Sequence, residues 1–341
     1  MKVFYSALIL LVILVMVIIG YGWQQIQLLN APVQLTHTQF YQVKAGDSAI
    51  AVMDDLREKG ITSVSRLVSR IWFKLEPDIS QVRAGVFQLK PDMSLHTVFT
   101  LLAKGKEYQF KVSLVEGLTL NQWLLSIKAA PYVMNDLEDN VALQLSNQLQ
   151  GIAGMPEDAY PEGIFLADTY HYAAGFKGSD ILLRANHAMV AYLEQAWDGR
   201  DSQLPYQTPY EALIMASIIE KETAVPAERP RIAGVFVNRL RKGMRLQTDP
   251  TVIYGIGAAF DGNLTRAHLR EKTPYNTYVI KGLPPTPIAM PGREAIHAAL
   301  HPAHTDDYYF VSKGDGSHQF SATLEAHNRA VNQYQRAKNR E

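Results

Sequence analysis

The chain has 341 residues, which excludes a single small module and is enough for two domains whose cores need no disulfide or metal. Its formal net charge is zero, so the composition gives no electrostatic support for a nucleic-acid-binding protein. It has no cysteine, which fits an extracytoplasmic protein that avoids disulfides and equally a cytosolic protein.

The first predicted element is a membrane-spanning helix. Residues 3–22 (VFYSALILLVILVMVIIGYG) carry no charge and can cross a bilayer core of about 30 Å at about 1.5 Å per residue. Lys2 precedes this run and the next basic residue is Lys44, so the positive-inside rule places the N-terminus in the cytoplasm. The alternative is a cleaved signal peptide, but residues 23–32 (WQQIQLLNAP) offer no small-x-small cleavage site. We therefore predict a cytoplasmic N-terminus and anchor over residues 1–23.

A polar tether is predicted at 24–39. Short segments follow it, some with the apolar periodicity of a helix and others with that of a strand. Residues 108–115 (YQFKVSLV) alternate apolar and polar side chains, as in a half-buried strand. Other strands are predicted at 40–44 and 85–89. One predicted helix ends at Gly60. A second begins after a cap at Thr62 or Ser63 and ends near Leu75, and a third ends at Lys104. Together these segments predict a small α/β subdomain over residues 40–118.

The remainder, residues 119–341, is predicted as a larger α+β domain. Thr208 and Glu211 form a predicted capping box at the start of one helix. Residues 282–292 (GLPPTPIAMPG) form a rigid proline loop. The other predicted elements are a helical region at 121–155, helices at 181–197, 208–224 and 231–241, and paired strands at 308–311 and 318–321. The predicted fold class of the whole chain is α+β with an N-terminal transmembrane helix.

One carboxylate stands out because its helix is apolar on nearly every side. Glu220 lies in TPYEALIMASIIEKETA (208–224), between the directions of Leu213 and Ala216 at about 100° per residue. Burial disfavours the ionised form, and a carboxyl group that is protonated at working pH can act as a general acid. The alternative for Glu220 is a structural carboxylate paired with an arginine. Glu222, two residues later, is predicted to reach water. The arginines available are Arg229, Arg231, Arg239, Arg241 and Arg245.

A second group of candidates lies in the segment LQTDPTVIYG (246–255). The Asp249-Pro250 pair is typical of a helix cap followed by proline in the first turn. Gln247, Thr248 and Tyr254 flank this pair and are free to face a groove. Hydrogen-bonding groups beside an aromatic ring suit a sugar, which has hydroxyl edges and apolar faces.

Two loops hold further candidates, and each has an ordinary alternative. Glu162 lies among aromatic residues in YPEGIFLADTY, which forms either part of a cleft or a loop with turn residues. Asn276 in YNTY can bind an amide of a ligand or close an Asx-turn. His297 and His301 have a zinc-compatible spacing, but without an intervening glutamate and with proline following, so no metal site is predicted.

Five motifs stand out together: ASIIEKET (216–223), FVNRLRKGMRLQTDPTVIYG (236–255), YNTY (275–278), GLPPTPIAMPG (282–292) and the YFV…HQFS ending. Together they resemble the endolytic murein transglycosylases, the YceG-like proteins. The likeness covers essentially the whole chain, including the N-terminal anchor. The VKAGDS segment at 43–48 is also similar to the opening of a LysM-type peptidoglycan-binding module.

This resemblance implies cleavage of peptidoglycan glycan strands at internal MurNAc–GlcNAc bonds. The product ends are 1,6-anhydro-MurNAc, no water or cofactor is consumed, and the family's catalytic glutamate falls on Glu220. The implied location is the bacterial inner membrane, with residues 3–22 as the single span and the catalytic domain in the periplasm. There the enzyme would terminate or trim nascent strands, in partnership with penicillin-binding synthases.

One glutamate suffices for this chemistry, whereas an ordinary glycosidase needs two carboxylates. The sugar's own 6-hydroxyl is the nucleophile, so Glu220 can first donate a proton and then accept one. Two alternatives stay open: a noncatalytic peptidoglycan-binding scaffold, and a muramidase hydrolase with Asp249 or Glu162 as second carboxylate. The hypothetical sugar contacts are Gln247, Thr248, Asp249, Tyr254, Asn276 and Glu162.

Overall fold

A computed structural model of the chain describes residues 2–138 and 140–336. It is a mixed helical and sheet structure, which confirms the predicted class at that level. The helices are α1 (Lys2–Asn30), α2 (Ala49–Glu58), α3 (Arg66–Leu75), α4 (Leu95–Lys104), α5 (Leu120–Lys128), α6 (Val141–Leu145), α7 (Gly178–Asp198), α8 (Pro209–Glu222), α9 (Arg229–Arg241), α10 (Asp249–Ile256), α11 (Arg293–Leu300) and α12 (Leu324–Val331). The strands are β1 (Gln39–Val43), β2 (Gly85–Leu89), β3 (Phe110–Leu114), β4 (Asp168–Tyr172), β5 (Tyr309–Ser312) and β6 (His318–Ser321).

The chain divides into two compact units. The first comprises Met1–Phe110 and His171–Gly175, and the second comprises Lys111–Tyr170 and Phe176–Glu341. The sequence places the boundary between residues 118 and 119, after the strand that became β3. The observed division lies inside that strand instead.

Helix α1 continues past the uncharged run into the first unit. It runs for 29 residues to Asn30 and, within the described part of the chain, is the one helix long and apolar enough to cross a membrane. Near its end, Leu29 is 7% exposed and belongs to the apolar core of the unit. Gln25 Oε1 accepts a hydrogen bond from the backbone N–H of Ser65 at 2.6 Å. The predicted polar tether at 24–39 is therefore wrong in its first part, because the helix persists and packs there.

Between α1 and α4, the first unit runs as strand, helix, helix, strand, from β1 to β2. β1 and β2 pair antiparallel, with Tyr41 opposite Phe87, and the apolar faces of α2, α3 and α4 cover a common core. Helix α3 begins at Arg66 because the Ser65 side chain accepts from a backbone N–H of its first turn. The predicted cap at Thr62 or Ser63 is wrong: the buried Thr62 hydroxyl accepts from the N–H of Val64 instead.

The second unit is organised around helix α8. Every residue of α8 from Ala212 to Ile219 is buried, and α7, α9, α10 and α11 pack against it. Thr208 caps the helix by accepting from the N–H of Glu211, but the Glu211 carboxylate accepts from the N–H of Gln207. Half of the predicted capping box therefore forms.

The remaining sheets of the chain are two-stranded. β5 and β6 pair antiparallel, with Phe310 opposite Phe320, as the sequence predicts. β3 pairs with β4. The region at 121–155 is less helical than predicted, since its described residues form α5 and the five-residue α6.

Candidate active site

Glu220 lies in the last turn of α8, and its side chain is only 5% exposed. Its Oε1 lies 3.2 Å from Nη2 of Arg229, the first residue of α9. Its Oε2 accepts a hydrogen bond of 2.9 Å from the backbone N–H of Gly292, which precedes α11. Among the five arginines considered from sequence, Arg229 is the one that contacts this carboxylate. The pKa of such a carboxyl group is set by its burial, by the nearby cation and by the backbone donor.

The proline loop brings this backbone donor to Glu220. The N–H of Ile288 donates to the hydroxyl of Ser217, one turn earlier on α8, at 3.0 Å. Further along, Met290 forms two backbone hydrogen bonds of 2.8 Å, from the N–H of Gly117 to its carbonyl and from its N–H to the carbonyl of Leu118. The loop is thus held between α8 and the segment after β3. At its end, the loop places the backbone N–H of Gly292 against the Glu220 carboxylate.

The same arrangement brings in a second carboxylate, Glu116, that the sequence analysis missed. A Cβ atom built on Gly292 would lie 3.3 Å from both Glu220 Oε2 and Glu116 Cβ. Glycine therefore suits this position, because a side chain would press on both acidic residues. The local sequence carries little signal for Glu116, since it is an exposed residue brought near by the backbone pairing of Gly117 and Met290.

Opposing influences act on the pKa of Glu220. Burial raises it above the ordinary range, and the nearby negative charge of Glu116 raises it further. The N–H of Gly292 and the guanidinium of Arg229 lower it, and the net direction is upward. Arg229 also contacts Glu294, whose side chain is 70% exposed, so the guanidinium is shared between two carboxylates. The carboxyl group therefore stays protonated to higher pH than an ordinary glutamic acid, despite its ion pair.

A cavity of about 780 Å³ holds two of the predicted sugar contacts. Glu162 is 2% exposed, its Oε1 accepts from the N–H of Leu120 at 2.8 Å, and its Oε2 accepts from the hydroxyl of Tyr254 at 3.1 Å. The ring of Tyr254 packs on Tyr275 at 5.0 Å between centroids. Lys221, next to Glu220, also lines this cavity and donates to the carbonyl of Gly117 at 3.0 Å. Other lining residues include Asn121, Gln122, Tyr160, Phe260 and Ile288.

The buried Glu162 is expected to make stability depend on pH. Burial raises its pKa to about 7, against an ordinary value of 4.5. The native state therefore binds more protons between these two values, and the free energy of unfolding falls as pH rises through that window. Glu162→Gln should remove this fall. Between roughly pH 4 and pH 8, the free energy of unfolding of the variant should therefore rise by about 1–3 kcal/mol relative to that of the wild type. Denaturant unfolding of both detergent-solubilised proteins measures this difference, and identical pH dependence would contradict it.

Glu222 was predicted to reach water, but it is half-buried and its carboxylate is engaged within the fold. Its carboxylate accepts a hydrogen bond from the hydroxyl of Thr248, a residue that is 2% exposed. Burial raises the pKa of Glu222 to about 7. The hydroxyl of Thr277 contacts the backbone N–H of Thr248 at 3.1 Å and the hydroxyl of Thr251 at 2.9 Å. Thr248 thus belongs to a buried polar network that joins α8 to α10.

The other predicted contacts differ in accessibility. Gln247 is exposed and has a left-handed backbone with φ of 53°, which is uncommon for a residue with a side chain. Asp249 is the first residue of α10 rather than its cap, and its carboxylate accepts from the hydroxyl of Tyr278 at 2.6 Å. Asn276 has no exposed surface, and its side-chain oxygen accepts from the N–H of Tyr278 in an Asx-turn. Its amide nitrogen donates to two backbone carbonyls. Asn276 therefore shapes its loop rather than offering a free amide.

A metal site would need three or more His, Cys, Asp or Glu side chains close together. No such group occurs in residues 2–138 and 140–336. The rings of His297 and His301 lie 4.5 Å apart, at the end of α11. Burial lowers the pKa of His301, and the positive form of His297 would lower it further.

The chain matches the family model described as the YceG-like family from residue 41 to residue 333. It is 30% identical to an endolytic murein transglycosylase of Bacillus subtilis (strain 168), over 87% of this chain and 85% of that protein. It is 33% identical to an endolytic murein transglycosylase of Streptococcus pneumoniae serotype 2 (strain D39), over 38% of this chain and 25% of that protein.

Among solved structures, the chain is similar to a crystal structure of a YceG-like protein from Listeria monocytogenes. The two are 28% identical with a TM-score of 0.56, and the match covers 86% of this chain and 99% of the other. The match therefore extends over nearly all of the solved chain.

Proposed function

The chain belongs to the YceG-like family, and from that premise we propose that it is a lytic transglycosylase that cleaves internal MurNAc–GlcNAc bonds of peptidoglycan. The observation that carries this proposal is the environment of Glu220. Its side chain is 5% exposed, it is held by Arg229 and the N–H of Gly292, and its pKa is raised. These are the properties of a general acid.

In the proposed reaction, protonated Glu220 donates its proton to the glycosidic oxygen as the bond from that oxygen to C1 of MurNAc breaks. The 6-hydroxyl oxygen of the same MurNAc bonds to C1, and its proton passes to the Glu220 carboxylate. The acid is thereby regenerated, and no water enters the balance. Burial favours the protonated form before the first transfer, while Arg229 and Gly292 stabilise the carboxylate that exists between the two transfers.

The cavity beside Lys221 is the proposed place for part of the glycan. Tyr160 and Tyr254 supply aromatic faces, and Asn121 and Gln122 supply polar groups. Such a combination suits the apolar faces and hydroxyl edges of a sugar. Glu162 lines this cavity and holds the hydroxyl of Tyr254, so we keep both as substrate-binding candidates. The exposed Gln247 and Asp249 remain candidates at the start of α10.

The proposed location is the inner membrane, with α1 as a single span and the remainder in the periplasm. The length and composition of α1 support this location, as does Lys2 on its N-terminal side. We further propose that the first unit includes a LysM-like glycan-binding module, supported by its strand-helix-helix-strand order from β1 to β2. Strand trimming beside penicillin-binding synthases is the role that this placement would serve.

The products of glycan cleavage test this function. Purified full-length protein is incubated with uncrosslinked glycan strands, and the fragments are analysed by mass spectrometry. Anhydro-MurNAc ends are expected. Reducing ends would instead indicate a hydrolase, in which Glu116 is the carboxylate that the structure places beside Glu220. If no cleavage is detected, the remaining interpretation is a noncatalytic peptidoglycan-binding scaffold.

The charges around Glu220 predict opposite shifts of the pH–rate profile. The first step needs protonated Glu220, so activity is lost as pH rises through the pKa of that group. Glu116→Gln removes a charge that raises this pKa and should move the basic limb to lower pH. Arg229→Gln removes a charge that lowers it and should move the same limb to higher pH. Initial rates across the pH range measure both shifts.

The control for this comparison is Glu194→Gln, which makes the same chemical change at an exposed position on α7. Its basic limb should coincide with that of the wild type. Shifts of Glu116→Gln and Arg229→Gln in the same direction would contradict the assignment of Glu220 as the acid.

A further inference from the structure

Helix α3 of the first unit exposes two parallel stripes of side chains. Leu67, Ile71 and Leu75 are 69%, 50% and 75% exposed, respectively. Because they are four residues apart, they lie along one side of the helix over about 12 Å. Single exposed apolar residues are common on protein surfaces, but three in line form a continuous apolar strip. The opposite side of α3 is buried through Ser69, Trp72 and Phe73.

Basic residues accompany this strip. Arg66, Arg70 and Lys74 are exposed, and each immediately precedes one of the apolar residues. They form a second line beside the first, and Arg66 also contacts Asp54 at 3.2 Å. A helix with one buried side, one apolar exposed line and one basic line is suited to a membrane interface. There the apolar groups enter the acyl region and the basic groups reach phosphates.

The position of α3 relative to α1 specifies which surface it meets. Ser65, the cap of α3, donates its N–H to Gln25 Oε1 at 2.6 Å. Gln25 follows the end of the uncharged run at Gly22 by three residues, which is about 4.5 Å along the helix axis. Trp23 lies between them and is 66% exposed, at the level where aromatic residues commonly mark the membrane interface. The first turn of α3 is therefore held where α1 leaves its apolar segment.

We propose that α3 lies in the extracytoplasmic interface of the membrane that α1 crosses, with Leu67, Ile71 and Leu75 among the acyl chains. The basic line of Arg66, Arg70 and Lys74 then faces the lipid phosphates. This inference rests on the proposed anchoring by α1 and is independent of the proposed chemistry. The first unit is in this way attached to the bilayer at two places rather than one.

The cysteine-free chain allows a direct test by single-site labelling. Full-length Ile71→Cys is labelled with a nitrobenzoxadiazole fluorophore and reconstituted in vesicles of phosphatidylethanolamine and phosphatidylglycerol. Quenching by doxyl-labelled phospholipid is compared with quenching by aqueous iodide. Glu58→Cys, an exposed position on α2 of the same unit, is the matched control. Val12→Cys in α1 reports the anchor.

Lipid quenching should dominate at positions 71 and 12, and iodide quenching should dominate at position 58. Iodide quenching at position 71 with lipid quenching at position 12 would overturn the inference while leaving the anchor intact. Shielding of position 71 from both quenchers would overturn it too, since a protein, including a second copy of the chain, would then cover α3. Iodide quenching at position 12 would overturn the anchor and this inference together. Glycan cleavage by the same vesicles reports the proposed chemistry separately.

Discussion

Glu220→Gln should lower the rate of glycan cleavage by about 10³-fold or more, because one group serves as both acid and base in the proposed reaction. Glutamine can still accept the hydrogen bond from Gly292 and leaves the helix geometry unchanged, so folding should be unaffected. Release of anhydro ends is measured by mass spectrometry, and folding by circular dichroism.

Glu222→Gln is the matched control for this prediction. It makes the same change two residues later on α8, in a side chain that accepts from Thr248 and lies outside the proposed proton transfers. Its activity should remain close to that of the wild type. Full activity of Glu220→Gln, or equal losses in both variants, would defeat the catalytic assignment of Glu220.

Gly163→Ala should destabilise the second unit by about 3 kcal/mol, through a strained backbone and a steric clash. Gly163 has φ of 78°, and a Cβ atom there would lie 2.3 Å from Cβ of Pro287. Pro287 belongs to the proline loop that delivers the N–H of Gly292 to Glu220, so cleavage activity should fall as well. Denaturant unfolding and the cleavage assay measure the two effects.

Gly243→Ala, in the same unit, separates the two causes. Gly243 has φ of 64°, but nothing lies within 4 Å of the position of its added Cβ. It should therefore show the backbone strain alone, about 1 kcal/mol, with activity retained. If Gly163→Ala is no more destabilising than Gly243→Ala, the proline loop yields to the added methyl group and is less constrained than its contacts indicate.

Local patterns were sufficient to predict the elements that carry the site. The apolar run around Glu220 indicated a buried helix, and nine-tenths or more of that side chain is indeed enclosed. Alternation gave the strand at 108–115, and the proline loop was apparent from its composition. The cap of α8 was predicted correctly at Thr208. These features depend on neighbours within a few residues, which periodicity and capping rules describe.

Contacts between distant segments could not be predicted in the same way. Five arginines were equivalent in sequence, and the packing of α9 and α11 on α8 selected Arg229. Glu116 reaches Glu220 because Gly117 pairs with Met290, far along the chain. The sequence leaves the amide of Asn276 available to a ligand, but the fold buries this side chain completely. Such outcomes are decided by tertiary packing, for which a single sequence carries no direct signal.

The uninterrupted helix from Lys2 to Asn30 has a mechanical consequence. Its last turn is embedded in the first unit through Leu29, and Gln25 fastens it to Ser65, so the joint resists twisting as well as bending. In a chain anchored by α1, the first unit can turn about the membrane normal only if the helix turns within the lipid. Rotational drag in the bilayer, which is far more viscous than water, would then limit how quickly this unit aligns with a glycan strand.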